Sequence, residues 1–365
     1  MCTRVIYTLN NNTTTYTGRN MDWKVTPEPQ IWVYPSQIER TGVAGKNTPQ
    51  WTSKYSSITT ANFGVATSDG VNEKGLAANL LWLISSSYPN SALQTSAKPI
   101  SISIWAQYIL DLCATVAEAI EAMKNVYIVT ATIPDTQTVV QCHLSVSDTD
   151  GNSAIFEYVD GQLHISSNLE LDYPPHYYTQ YTKSQVRVMT NDPIFAKQVR
   201  LNEYWQLINA DNKANNLPAQ LPGSSVSSAR FVRASHYCSL LSEKNDETYA
   251  LAELASVMHN AATPIVGKDS ADGTASNNST TWYTSLVFQS KPAYFYQSAY
   301  SPFMIWLELS QIDFSSCDVQ DKQGLHLTLD DHGAYNGVDR FMAGNVVNDL
   351  KPQTGFDFLA ADFSI

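Results

Sequence analysis

The stretch Cys2-Thr3-Arg4-Val5-Ile6-Tyr7-Thr8, with Asn10-Asn11-Asn12 behind it and Thr-Thr-Tyr-Thr-Gly-Arg at 14–19, governs how the rest of the chain is read. Its first part alternates and is rich in β-branched residues, the pattern of a strand. The Asn run is a turn signal, and 14–19 reads as the returning strand. This is a hairpin that begins at the N-terminus itself. If it pairs in simple register, Arg19 and Asp22 return to the neighbourhood of Cys2.

Working outward, 31–34, 57–67 and 75–83 are further strands, with a turn at Asp69-Gly70-Val71-Asn72-Glu73-Lys74-Gly75. A helix is expected over about 101–112. A second should follow, with Thr115 as N-cap and Glu118 as its capping-box partner. Segments 126–129, 139–147, 153–158 and 163–166 read as a meander joined by turns at Asp148-Thr149-Asp150-Gly151-Asn152 and Asp160-Gly161. Helical blocks are expected around 193–210 and 246–262. Strands return at 283–289, 293–297, 304–308 and 326–328. Strands at both ends with helices in two central blocks predict an α+β layered fold, with two sheets packed between helix layers and the N-terminal strand lying centrally. No repeat or linker divides the chain, so 1–365 is expected to form one domain.

Composition narrows the function. With 34 acidic against 22 basic residues the net charge is -12. No basic cluster offsets that sign, which makes nucleic acid and anionic membrane surfaces poor partners. No apolar run approaches the roughly 18 residues of a membrane-spanning helix. Met1-Cys2-Thr3-Arg4 is not a signal peptide. The protein is therefore expected in the cytoplasm, unless Met1 stands where a signal segment has been removed, in which case it is periplasmic or secreted. The Lys-poor, Asn-, Ser-, Thr- and Tyr-rich body leans towards export. Cys2, Cys113, Cys142, Cys238 and Cys317 are far apart and form no CxxC, so a zinc or redox motif is not indicated. Disulfides among them cannot be assigned from sequence.

Cys2 stands out by position. Once the initiator Met is removed, this one residue owns a thiol and the chain's free α-amine. The amine titrates at about 7.7–8.0 and can act as a base near neutral pH. The thiol, near about 8.5, is readily activated by such a neighbour. Nucleophile and base then sit in one residue. Arg19 beside it would lower the thiol pKa, and Asp22 would hold and orient the α-ammonium. The plain alternative is a surface ion pair at a turn. Asn191, in Met189-Thr190-Asn191-Asp192-Pro193, could serve as an oxyanion donor or simply as a turn and cap. Arg230 lies in the apolar run Ser228-Ala229-Arg230-Phe231-Val232-Arg233. It either faces solvent on a helix or is buried with an anionic partner.

Taken in order, these segments resemble the choloylglycine hydrolase family of N-terminal-nucleophile amidases, which includes penicillin V acylases and conjugated bile salt hydrolases. The resemblance starts at Cys2 and runs through Arg19-Asn20-Met21-Asp22, Asp69–Leu76, Glu157-Tyr158-Val159-Asp160-Gly161, Thr190-Asn191-Asp192-Pro193 and Leu221-Pro222-Gly223 with Ser228–Phe231. It implies a four-layer αββα sandwich with Cys2 as nucleophile and Arg19 and Asp22 flanking it. Asn191 would be a side-chain oxyanion donor, and Arg230 part of the same polar network. A backbone N–H in Asn79-Leu80-Leu81-Trp82, placed at Trp82, would be the second donor. No metal or organic cofactor is implied. Homotetramers and an exported precursor are.

Two departures concern substrate. Trp82 stands where Gram-positive penicillin V acylases carry Tyr, and Trp23 follows Asp22 directly. Paired Trp residues look like the Gram-negative branch, whose members also accept N-acyl homoserine lactones. Two indoles could form a slot for a phenoxyacetyl or fatty acyl group; both could equally be core. The leading expectation is a cysteine hydrolase of small-molecule linear N-acyl amides. A conjugated bile salt hydrolase is the runner-up, and a secreted ligand-binding β-sandwich without catalysis is a remote third.

Overall fold

The computed structural model describes residues 2–9, 14–89, 96–133, 137–174, 177–242, 246–265, 279–330, 333–335 and 343–364. The expected turn at Asn10-Asn11-Asn12 lies outside them. The two strands it would join are present: Cys2–Thr8 (β1) and Thr15–Trp23 (β2) pair antiparallel, with Cys2 opposite Met21 and Arg4 opposite Arg19. β1 and β2 sit inside a sheet ordered Val188–Met189, β1, β2, Thr280–Phe288, Ala293–Ser298, Ile305–Glu308 and Gly344–Asn345. A second sheet runs Tyr178–Gln180, Gln162–Ser167, Ser153–Val159, Cys142–Ser147, Ala77–Trp82, Ala66–Asn72, Ser57–Asn62, Gln30–Tyr34, Gln323–Leu327 and Lys351–Thr354.

Helices cover the outer face of each sheet. α1 (Trp105–Leu112) and α2 (Val116–Ala122) pack on the second. α4 (Ser227–Cys238) and α5 (Glu247–Ala261) pack on the first, and α3 (Phe195–Ala214) lies against α4. The order helix, sheet, sheet, helix is the αββα sandwich the resemblance implied. One apolar cluster, with Trp105, Ile109, Leu144 and Phe156, fills the space between α1, α2 and the second sheet. Another, with Phe231, Leu254, Met258, Val5, Leu286 and Leu81, extends from α4 and α5 through the first sheet to the second.

Local signals explain much of this. Thr115 Oγ1 accepts from the Glu118 N–H at 3.2 Å, and Glu118 Oε2 reaches back to the Ala114 N–H at 2.7 Å, so α2 starts as expected. The expected single strand 57–67 is instead two strands. Phe63 and Gly64 adopt φ of 56° and 61°, and Val65 N–H donates to Asn62 C=O at 3.2 Å. Strand-forming residues continue on both sides of a turn that the Gly makes possible. Residues 69–72 extend the second of these strands, so the turn that follows is shorter than expected. Val126–Val129 pairs parallel with Lys98–Ser101 and stays out of the meander. α4 extends to Ser227–Cys238 the helix that one reading of Arg230 allowed. All five cysteines are thiols. Among the described residues, no helix is long and apolar enough to cross a membrane.

Gly75 ties the two sheets together. Gln289 Nε2 donates to Gly75 C=O and Ser147 C=O, both at 2.9 Å. Gly75 has φ of 80°, and a Cβ there would stand 2.2 Å from Gln289 C=O. Gly75→Ala is expected to lower stability by about 2–4 kcal/mol, combining a disfavoured backbone with a clash that only main chain can relieve. The midpoint of chemical denaturation measures it.

Candidate active site

Strand alternation sorts the residues around Cys2. Cys2, Arg19 and Met21 face the second sheet, while Thr3, Asn20 and Asp22 face the helices. The Cys2 thiol is 2% exposed. Its Sγ lies 3.7 Å from Met21 Sδ, 3.9 Å from Asp22 C=O and 3.9 Å from Arg19 Nη2. Arg19 is wholly buried between the sheets. Its Nη1 meets Asp69 Oδ2 at 3.3 Å and also donates to Tyr283 OH, while Nη2 donates to Leu80 C=O at 3.3 Å. Burial works against the Arg19 charge, but Tyr283, Asp69 and Cys2 outweigh it and hold its pKa above the ordinary value.

The main chain of Cys2 is held from the helix side. Cys2 N–H donates to Asn191 Oδ1 at 2.5 Å, and Arg230 Nη1 donates to Cys2 C=O at 2.6 Å and to Thr3 Oγ1. Arg230 Nη2 donates to the same Asn191 Oδ1 at 2.9 Å. Arg230 projects from α4 and is fully buried, so the buried alternative holds; its carboxylate is Asp22, 3.7 Å away. Burial lowers the Arg230 pKa, against the opposing pull of Asp22 and Cys2. Asp22 Oδ1 accepts from Thr281 Oγ1 at 2.6 Å. Asn191 is fixed at its own backbone, where its N–H donates to Ser227 Oγ at 2.8 Å.

Asn191 Nδ2 donates to Trp82 C=O at 2.6 Å. Leu83 N–H donates to Gln141 C=O, so ladder alternation turns both backbone groups of Trp82 away from Cys142, its opposite residue. The Trp82 N–H thus points to the side on which Asn191 lies. Asn79 sits in the same strand between Asp69 and Ser145 and does not line the cavity beside Cys2.

That cavity measures about 90 Å³. Apart from Arg19, Asn62, Ser68 and Ser103, its walls are apolar and include Met21, Trp23, Leu80, Trp82, Ile133, Val140 and Leu359. The Trp23 and Trp82 rings stand 4.8 Å apart, tilted by 58°. The structure therefore brings Cys2, Arg19, Asp22, Asn191, Arg230, Trp23 and Trp82 together. Asp69, Tyr283, Met21 and Thr281 belong to the same cluster and were not singled out from the sequence. Asp69 carried only a turn signal in the sequence, as the first residue of Asp69–Gly75. Among the described residues no group of His, Cys, Asp and Glu is placed to hold a metal ion.

The profile of the linear amide C–N hydrolases, choloylglycine hydrolase family, matches residues 2–324. The chain belongs to this family. The choloylglycine hydrolase assignment makes it a hydrolase of carbon–nitrogen bonds in linear amides. It is 37% identical over 338 residues to a penicillin V acylase of Pectobacterium atrosepticum, covering 86% of this chain and 82% of that one. The solved structure of a penicillin V acylase from Agrobacterium tumefaciens superposes with a TM-score of 0.79 at 35% identity, over 98% of this chain and 100% of the other. A conjugated bile acid hydrolase from Clostridium perfringens shares the fold, with a TM-score of 0.71 at 20% identity over 93% and 100% of the two chains.

Asp69→Ala would leave Arg19 charged and unpaired in the interior. The expected loss is about 3–5 kcal/mol, read from denaturant unfolding. Adding Arg19→Met should recover much of it.

Proposed function

We propose that Cys2 is the nucleophile of a penicillin V acylase-like amidohydrolase that also cleaves N-acyl homoserine lactones. One observation carries this: the Cys2 thiol opens onto a narrow apolar cavity beside a buried guanidinium, with Asn191 and the Trp82 backbone adjacent. The roles follow from chemistry. With Met1 absent, the Cys2 α-amine accepts the thiol proton and the sulfur attacks the amide carbonyl carbon. The second hydrogen of Asn191 Nδ2 and the Trp82 N–H stabilise the oxyanion. The ammonium then protonates the leaving amine as the C–N bond breaks, and water hydrolyses the thioester. Arg19 places a positive charge beside the sulfur. Asp22 and Arg230 act on the main chain of Cys2 and on Asn191 and keep them in place.

The space beside Trp23 and Trp82 suits a phenoxyacetyl ring or an unbranched fatty acyl chain. A fused-ring steroid would need a wider slot, which disfavours the bile salt alternative. Exposed Leu201, Tyr204 and Leu207 on α3, with Leu217 and Leu240 nearby, support assembly into the proposed homotetramer. Export to the periplasm belongs to the same proposal.

The test is amine release from penicillin V, a long-chain N-acyl homoserine lactone and glycocholate, with intact mass establishing that Met1 is gone. Turnover of the first two is expected, falling more than about 10⁴-fold in Cys2→Ala. Full activity in Cys2→Ala, or turnover of glycocholate alone, would overturn the proposal. Alkylation gives a second check. Burial pushes Cys113 up to about 12 and Cys238 up to about 11, and raises Cys142 and Cys317 as well. Iodoacetamide is expected to block turnover in step with labelling of Cys2, whereas labelling of the more accessible Cys317 should leave turnover unchanged.

A further inference from the structure

The far C-terminal segment of the chain forms part of the wall around Cys2. Leu359 lines the cavity, although the family profile ends at residue 324. Both of its backbone groups are tied down. Leu359 C=O accepts from Ser101 Oγ at 2.6 Å and from Ser103 Oγ at 2.7 Å. Leu359 N–H donates to Val65 C=O at 3.0 Å, in the hairpin turn that forms the neighbouring wall. Just beyond, Ala361 N–H donates to Val43 C=O at 2.9 Å and Asp362 N–H to Thr130 C=O at 2.8 Å. Thr132 Oγ1 donates to Asp362 Oδ2 at 2.9 Å. Upstream, the Phe358 ring stands 5.7 Å from the Arg40 guanidinium. An untethered terminus makes no such series of contacts.

We propose that Leu359 is a specificity-determining residue that sets how much acyl chain the cavity holds. The proposal rests on the functional reading above, in which that cavity receives the acyl group. Three physical points support it. The side chain is apolar, so it can contact a hydrocarbon but can neither bind a polar group nor take part in the reaction. Its main chain is hydrogen-bonded at N–H and C=O, so the side chain acts as a fixed stop rather than a mobile flap. It also lies outside the ladder that carries Cys2 and Arg19 and outside the loop that carries Asn191, so its size can change without displacing them. In an apolar slot, one methylene more or less alters selectivity by about 10–200-fold.

The test compares kcat/KM for N-acyl homoserine lactones of short, medium and long unbranched acyl chain. Leu359→Ala is expected to raise the long-to-short ratio about tenfold, and Leu359→Trp to lower it about tenfold or more. Iodoacetamide labelling of Cys2 at wild-type rate in both variants would establish that the nucleophile is undisturbed. Binding of free fatty acids of the same lengths to Cys2→Ala, followed by tryptophan fluorescence, reads slot length without turnover. The Leu359 substitutions made in that background should shift the ranking in the same directions. Unchanged ratios and unchanged fatty-acid ranking in both Leu359 variants would overturn the proposal. A wild-type enzyme that cleaves no N-acyl amide, yet binds fatty acids with a length preference that Leu359 moves, would reject the functional reading and keep this one.

Discussion

The buried pair of Arg19 with Asp69 is the constraint on which the rest depends. Arg19 comes from one sheet and Asp69 from the other. Removing both charges from water is costly, and the attraction between them offsets more of that cost the more of the pair's other polar atoms are hydrogen-bonded. Tyr294 OH and Ser285 Oγ donate to Asp69, each at 2.8 Å, while Tyr283 OH and Leu80 C=O accept from Arg19. The two sheets are therefore held at a spacing and register that suit these polar contacts as well as the apolar core. The same guanidinium lies 3.9 Å from the Cys2 sulfur. Closing the sandwich and building a positive environment for the thiol are one event.

The helix layer completes the site from the opposite side. Arg230 and Asn191 grip the main chain of Cys2, and Asp22, itself held by Thr281, faces Arg230 in turn. Cys2 is thus held by its side-chain surroundings from one layer and by its backbone from another. Two independent sets of contacts restrict both where the thiol sits and which way the Cys2 nitrogen points. That is the preorganisation which the proposed role of Cys2 as nucleophile and base together requires.

Much of this was legible in the sequence because it follows from local rules. Alternation in β1 and β2 was enough to bring Arg19 and Asp22 back to Cys2. The Thr115 and Glu118 pair located α2 to the residue. What escaped detection depends on long-range contacts. Asp69 looks like a turn residue until the opposite sheet supplies Arg19, Ser285 and Tyr294. Arg230 reads as well on an exposed helix face as in the interior, and only the tertiary contact with Asp22 decides for burial. Residues 57–67 keep a strand-like composition through Phe63-Gly64, and the reversal there is visible only as backbone angles. Leu359 had no signal at all, because its place beside Cys2 comes from tertiary hydrogen bonds to Ser101, Ser103 and Val65.

The cavity walls combine strand residues such as Met21, Leu80 and Trp82 with a hairpin turn at Val65 and the segment around Leu359, and these last two lie outside the ladders. Turns and termini change length and composition without disturbing a ladder; strand interiors do not. On the proposed reading, an engineer seeking a different acyl preference would begin at these two segments, where side chains can be exchanged while the ladders around Cys2 stay in register.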